Sequence, residues 1–184
     1  MMLPAAVGAL AIAAGLASIA AAPDLRGLLA AALAFIMLAI AVVDARRFII
    51  PNSLVGAGFA LGVIDAALAE PASVMAAVAL AVFRGVVLAA VFLVIRIGYR
   101  HLRGRVGVGL GDVKLAAVAG VWLDWQAMAL AIEIAALSAL AVYAFRQWVL
   151  GRPMRRMGRL PLGLFLAPAI WLCWLLEATL LGPH

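Results

Sequence analysis

Hydrophobic residues dominate the chain in long, all-round apolar runs, and short clusters of Arg, Asp, Pro and Gly are what separate one run from the next. A bilayer-crossing helix needs about 20 mostly apolar residues. The runs predict seven such helices, over 3–22, 28–44, 53–69, 74–97, 113–123, 127–150 and 162–180. The fifth is short for a full crossing. Their Ala- and Gly-rich composition suits close helix packing in lipid, and no internal repeat, linker or soluble module interrupts them. The expected fold class is therefore all-α: a polytopic transmembrane bundle forming one domain over residues 1–184.

Composition agrees with this pattern. Of the 184 residues 69% are hydrophobic and only 12% charged, against about 25% charged in soluble domains. Such a chain cannot cover a water-facing surface, so its main solvent is lipid. The first run ends in Ala20-Ala21-Ala22, like a signal-peptide cleavage site, yet Met1-Met2-Leu3 brings no basic residue before it. A cleaved leader normally starts with one, so the run is expected to stay as a span. The single cysteine, Cys173, excludes a disulfide framework or a cysteine zinc site within one chain.

The net charge of +6 could suggest nucleic acid, but placement favours membrane lipid. With the N-terminus in the cytoplasm, all of the 14 basic residues except Arg26 and Arg84 fall in cytoplasmic segments or their flanks, as the positive-inside rule requires. The acids separate in the opposite sense. Asp24, Asp65, Glu70, Asp124 and Glu177 go to the outer half and Glu133 into the sixth span. Only Asp44 and Asp112 remain on the cytoplasmic side, each at the end of an apolar run.

That pair is the candidate chemical centre. Placing an Asp within a membrane helix costs about 2.5–3.5 kcal/mol, and two carboxylates in a low-dielectric cleft share a proton rather than both ionise. The charged member can take a proton from water while the protonated one donates to a scissile carbonyl, the chemistry of an aspartic protease. Singly, Asp112 could instead cap the following helix, and Asp44 could pair with Arg46 or Arg47.

The motifs around the pair carry a resemblance. Asp44 is followed by Ile50-Pro51-Asn52, and Gly109-Leu110-Gly111-Asp112-Val113-Lys114-Leu115 lies downstream. Pro161-Leu162-Gly163-Leu164-Phe165-Leu166-Ala167 comes late in the chain. In that order and spacing the three segments resemble the type IV prepilin peptidases, GxGD-type intramembrane aspartic proteases, over a core of residues 28–167 with an extra N-terminal span. The resemblance implies that Asp44 and Asp112 form the catalytic dyad. It also implies that Gly109, Gly111, Lys114, Pro161 and Gly163 lie on the substrate side, with no metal and no cofactor. The implied substrate is a prepilin or pseudopilin precursor, an apolar helix behind a basic leader, cut after Gly at the cytoplasmic face of a bacterial inner membrane.

Long members of that family carry an early insert with paired CxxC motifs and a methyltransferase activity. Here the 23–27 connection and the lone cysteine leave no place for it, so the expectation is a peptidase-only form like those serving Flp-type pili. Phe48 and Ile49 stand where longer relatives often have basic residues. The similarity to presenilin-like proteases is weaker, since Val43 stands where those have Tyr. A small proton-coupled transporter or channel is the alternative reading of paired intramembrane acids. A noncatalytic scaffold would leave the pair without a purpose. Oligomeric state stays open. Elsewhere, Arg84 is expected to pair with Glu133, or else Asp65, and the tryptophans to anchor span ends. His101 is expected to be a solvated loop residue, and His184 has no evident partner.

Overall fold

A computed structural model describes residues 4–104, 107–148 and 161–180. Among them every regular element is a helix: α1 Pro4–Ala21, α2 Leu25–Arg47, α3 Asn52–Ala69, α4 Val74–Arg103, α5 Leu110–Trp122, α6 Trp125–Trp148 and α7 Leu162–Leu180. Five of these (α2, α3, α4, α6 and α7) are long and apolar enough to cross a membrane, and α1 is a slightly shorter apolar helix. The chain is a multi-pass membrane protein. Arg105, Arg152, Arg155, Arg156, Arg159 and His184 lie outside the described residues.

The short α5 sits at the centre, packed against α3, α4 and α7. Its Leu115, Ala116 and Val118 are completely buried. With 13 residues it is only about 20 Å long, less than the ~30 Å hydrocarbon core. Enclosure by neighbouring helices makes this tolerable, because its unpaired terminal backbone groups meet protein rather than lipid. α2 and α7 pack on each other beside it, while α1 lies on α2 and α6 on α7. Ser18 ties α1 to α7 by accepting a 2.9 Å hydrogen bond from Trp171 Nε1.

Small residues set the spacing between helices. A Cβ on Gly120 of α5 would lie 2.6 Å from the Arg84 carbonyl oxygen and the Gly85 Cα of α4, so these backbones touch directly. Trp122 fills the gap on the other side and donates Nε1 to the Gly58 carbonyl of α3 at 2.8 Å. Contrary to the interface expectation, Trp122 and Trp174 are core residues, whereas Trp125 and Trp148 at the ends of α6 are exposed.

At the end of the bundle away from Asp44, the polar residues also pair differently from expectation. Arg26 forms an ion pair with Asp65, Nε to Oδ1 at 3.1 Å, linking α2 to α3. Arg84 donates Nε to the Gly120 carbonyl at 3.3 Å. It lines a cavity of about 180 Å³ with Asp24, Asp124 and Glu177. Glu133 is exposed on α6, which packs on α7, whereas α4 packs on α3 and α5. The expected pairing fails because Glu133 faces outward while Arg84 turns to the Gly120 carbonyl of α5. His101 lies in the last turn of α4, not in a loop.

The direct contact of α4 with α5 makes Gly120 intolerant of size. Gly120→Val should cost about 1–3 kcal/mol through overpacking and lower the melting temperature in detergent by about 5 °C. Gly56→Ala, where a Cβ meets nothing within 4 Å, should leave it unchanged. Thermal unfolding followed by circular dichroism checks both.

Candidate active site

Asp44 sits one turn before the C-terminus of α2, in a helix that Phe48 closes. Phe48 adopts a left-handed conformation (φ 54°) and returns its N–H to the Asp44 carbonyl at 2.9 Å. A bulky residue in that region is unfavourable by roughly 1–2 kcal/mol, and it turns the chain sharply toward Ile50 and Pro51. Pro51, with φ fixed near the helical value, then opens α3 without wasting an amide donor.

The Asp44 carboxylate reaches across the bundle to the start of α7, where Oδ2 accepts the Leu164 N–H at 3.0 Å. Helix N-termini present unpaired amides and the positive end of the dipole, so they favour a carboxylate. Pro161 begins that turn, with its carbonyl accepting the Leu164 amide at 3.2 Å. Gly163 lies directly against the acid: a Cβ there would be 2.9 Å from Asp44 Oδ2.

Asp112 occupies the third position of α5, and its Oδ2 accepts the Gly109 N–H at 2.9 Å. Both aspartates are buried, at 4% and 8% exposure, although polar residues are otherwise rare in this interior. Asp44 lies within electrostatic reach of Asp112, as does Arg96 of α4. Each carboxylate thus has one oxygen held by a backbone amide. The Gly163 amide is a second backbone partner of the Asp44 carboxylate.

One apolar side chain holds the two acids in register. Ile50, 9% exposed, fills the space over two glycines. A Cβ on Gly111 would fall 2.9 Å from Ile50 Cβ, and one on Gly163 would fall 2.8 Å from Ile50 Cδ1. Gly111 precedes Asp112 and Gly163 backs Asp44, so Ile50 is wedged between the supports of both carboxylates. Lys114, expected on the substrate side, donates Nζ to Asn52 Oδ1 at 2.8 Å and ties α5 to the start of α3.

The structure therefore brings Asp44, Asp112, Gly109, Gly111 and Gly163 together, with Pro161 at the entrance to α7 and Lys114 two residues beyond Asp112 on α5. Sequence reasoning missed the packing role of Ile50, the amide of Leu164 and the proximity of Arg96. Ile50 was visible as part of a motif, but the glycines it covers are remote in the chain. Arg96 was legible only as one of many basic residues at a cytoplasmic helix end. Among the described residues no three His, Cys, Asp or Glu side chains gather as a metal site.

The chain is 45% identical over 69 residues to a prepilin leader peptidase/N-methyltransferase of Burkholderia pseudomallei, covering 38% of this chain and 22% of that relative. A protein of the same description from Dickeya chrysanthemi is 34% identical over 120 residues, covering 61% of this chain and 39% of the relative. Leader peptidase HopD of Escherichia coli is 37% identical over 78 residues, covering 42% and 50%. The matches thus span from about a fifth to half of these relatives' lengths. No solved structure matches. The description of the type IV leader peptidase family fits residues 31–144, a stretch that carries both aspartates and the Ile50, Gly109 and Gly111 that surround them, and the chain belongs to that family.

Proposed function

We propose that this protein is an aspartic endopeptidase that removes the basic leader of type IV prepilin-like precursors, with Asp44 and Asp112 as its catalytic dyad. The observation that carries the reading is the meeting of two buried carboxylates from α2 and α5, each with one oxygen held by a backbone amide. Held this way, the two groups need no rearrangement to act, which is the advantage of a preorganised polar site. One acid, ionised, takes a proton from the attacking water. The other, protonated, donates to the scissile carbonyl. On collapse the first acid gives its proton to the departing amine nitrogen and the second takes one back from a hydroxyl of the tetrahedral diol, so both return to the starting state.

Family membership supports the substrate class, and the location of the site supports the direction of approach. Asp44 and Asp112 lie near the end of the bundle that carries Arg46, Arg47, Arg100 and Arg103. That end faces the cytoplasm under the positive-inside rule of a bacterial inner membrane. A precursor whose basic leader stays in the cytoplasm presents its cut site at the same level. Gly before the cut eases the local unwinding that exposes the peptide bond. The acids sit at helix ends rather than mid-span, which favours the peptidase over a proton-coupled transporter.

Purified protein incubated with a prepilin bearing a basic leader should release the leader. Asp44→Asn and Asp112→Asn should each abolish release while keeping the wild-type melting temperature within a few degrees. Combining them should reduce the rate no further, because groups that act as one unit are not additive. Appreciable turnover by either single variant removes the dyad assignment.

Orientation has its own check, in a chain whose buried Cys173 is replaced by alanine. Leu102→Cys, exposed at the end of α4, should react with a membrane-impermeant maleimide only from the cytoplasmic side. Gln126→Cys, exposed at the start of α6, should react only from outside. The reverse pattern would place the aspartates at the wrong face for this substrate.

A further inference from the structure

The loop before α5 does not leave the end of α4 freely. α4 runs 30 residues to Arg103 and closes on Gly104 in a left-handed conformation. Residues 107–109 then lie back along it. A Cβ on Gly107 would sit 2.7 Å from Tyr99 Cδ1, so the Gly107 backbone rests on that ring. Arg96, a further turn back and half-buried, donates Nη1 to the Val108 carbonyl. Arg96 stands about 10 Å below the end of α4, so α5 begins well inside the bundle.

The carbonyl that Arg96 holds belongs to the peptide group whose N–H is the Gly109 amide, and that amide donates to Asp112 Oδ2 at 2.9 Å. A peptide unit is planar and rigid. Fixing its oxygen therefore fixes the direction of its N–H. A guanidinium on the oxygen also polarises the group, strengthening the bond given on the other side. Arg96, the Val108–Gly109 peptide and Asp112 form one chain of hydrogen bonds.

We infer that Arg96 is a positioning residue that orients Asp112 through the Val108–Gly109 peptide. Oδ2 is held toward the loop and Oδ1 is left for the reaction. This rests on the peptidase reading above for its consequence in catalysis, but not for its geometry. The simpler role for an arginine at this depth is to reach the interface with its charged end. That role predicts no effect on the rate of the chemical step.

Two measurements on the full-length protein in detergent test the inference. In prepilin cleavage, Arg96→Met should lower kcat about a hundredfold, the scale of a small misplacement of a reacting group, with KM unchanged. Arg96→Lys, which keeps a charged donor for the same carbonyl, should recover most of the rate. Wild-type kcat in Arg96→Met, or a loss confined to KM, overturns the inference.

The second measurement needs no substrate and also serves if Arg96→Met is too unstable to assay. Valine labelled at the carbonyl carbon with ¹³C, together with ¹⁵N-glycine, selects Val–Gly peptide groups in the NMR spectrum. The Gly109 amide proton should move upfield in Asp112→Asn, which loses the ionisable acceptor, and also in Arg96→Met or the uncharged Arg96→Gln, whereas Arg96→Lys should keep it close to its wild-type position. A Gly109 resonance unmoved in both Arg96→Met and Arg96→Gln overturns the inference. Absence of prepilin cleavage by the unaltered protein sinks the peptidase reading instead, and the resonance still decides for or against Arg96.

Discussion

The starts of α5 and α7 close on the side chain of Ile50, and they can do so because Gly111 and Gly163 carry no Cβ. The contacts are short enough that even one added methyl would overlap Ile50 on either side. Interiors packed at this density do not deform gradually, so the wedge sets the distance between the segments that bear Asp44 and Asp112. The rest of the site depends on that spacing. Pro51 directs Ile50 inward from the turn after α2, and Lys114 to Asn52 fastens the far side of the same turn to α5.

Given that spacing, the membrane imposes the second constraint. A buried carboxylate without partners is costly, and neither acid has a cation bonded to it in the described structure. Backbone amides take that role, from the first turn of α7 and from the glycine loop before α5. Amides stabilise a carboxylate without neutralising it by an ion pair. The central position of α5 follows from the same requirement. Its N-terminus must lie deep enough for Asp112 to meet Asp44, and it is short because α4 and the returning loop occupy the remaining depth.

The opposite end of the bundle uses charge structurally. Asp24 accepts the Arg26 and Gly27 amides at the start of α2. Asp124 does the same for Gln126 and Ala127 at the start of α6. Arg26 with Asp65 ties α2 to α3, and Glu177 of α7 accepts the Asp124 amide at 3.3 Å. These acids cap and connect helices. Asp44 and Asp112 instead come from different helices to one place, which sets them apart from these caps as the candidate site.

Helix number, approximate boundaries and the special status of Asp44 and Asp112 were legible in the chain, because apolar runs and charge placement are local properties that lipid reads directly. The Gly109 to Asp112 bond was nearly legible as well, since an Asp three residues past a helix start commonly accepts such an amide. The partners that complete the site were not. Leu164 is 120 residues from Asp44, and nothing in either segment names the other. Arg84 and Glu133 were matched by membrane depth, but Glu133 is exposed on α6 and Arg84 turns to the Gly120 carbonyl of α5. Trp122 lies near a span end yet faces inward, where it reaches Gly58. Hydropathy reports how deep a residue lies, but in an all-round apolar helix it carries little information about azimuth. Which face meets which neighbour is decided by the fit of glycines, Ile50 and Trp122, and that fit exists only in the packed bundle.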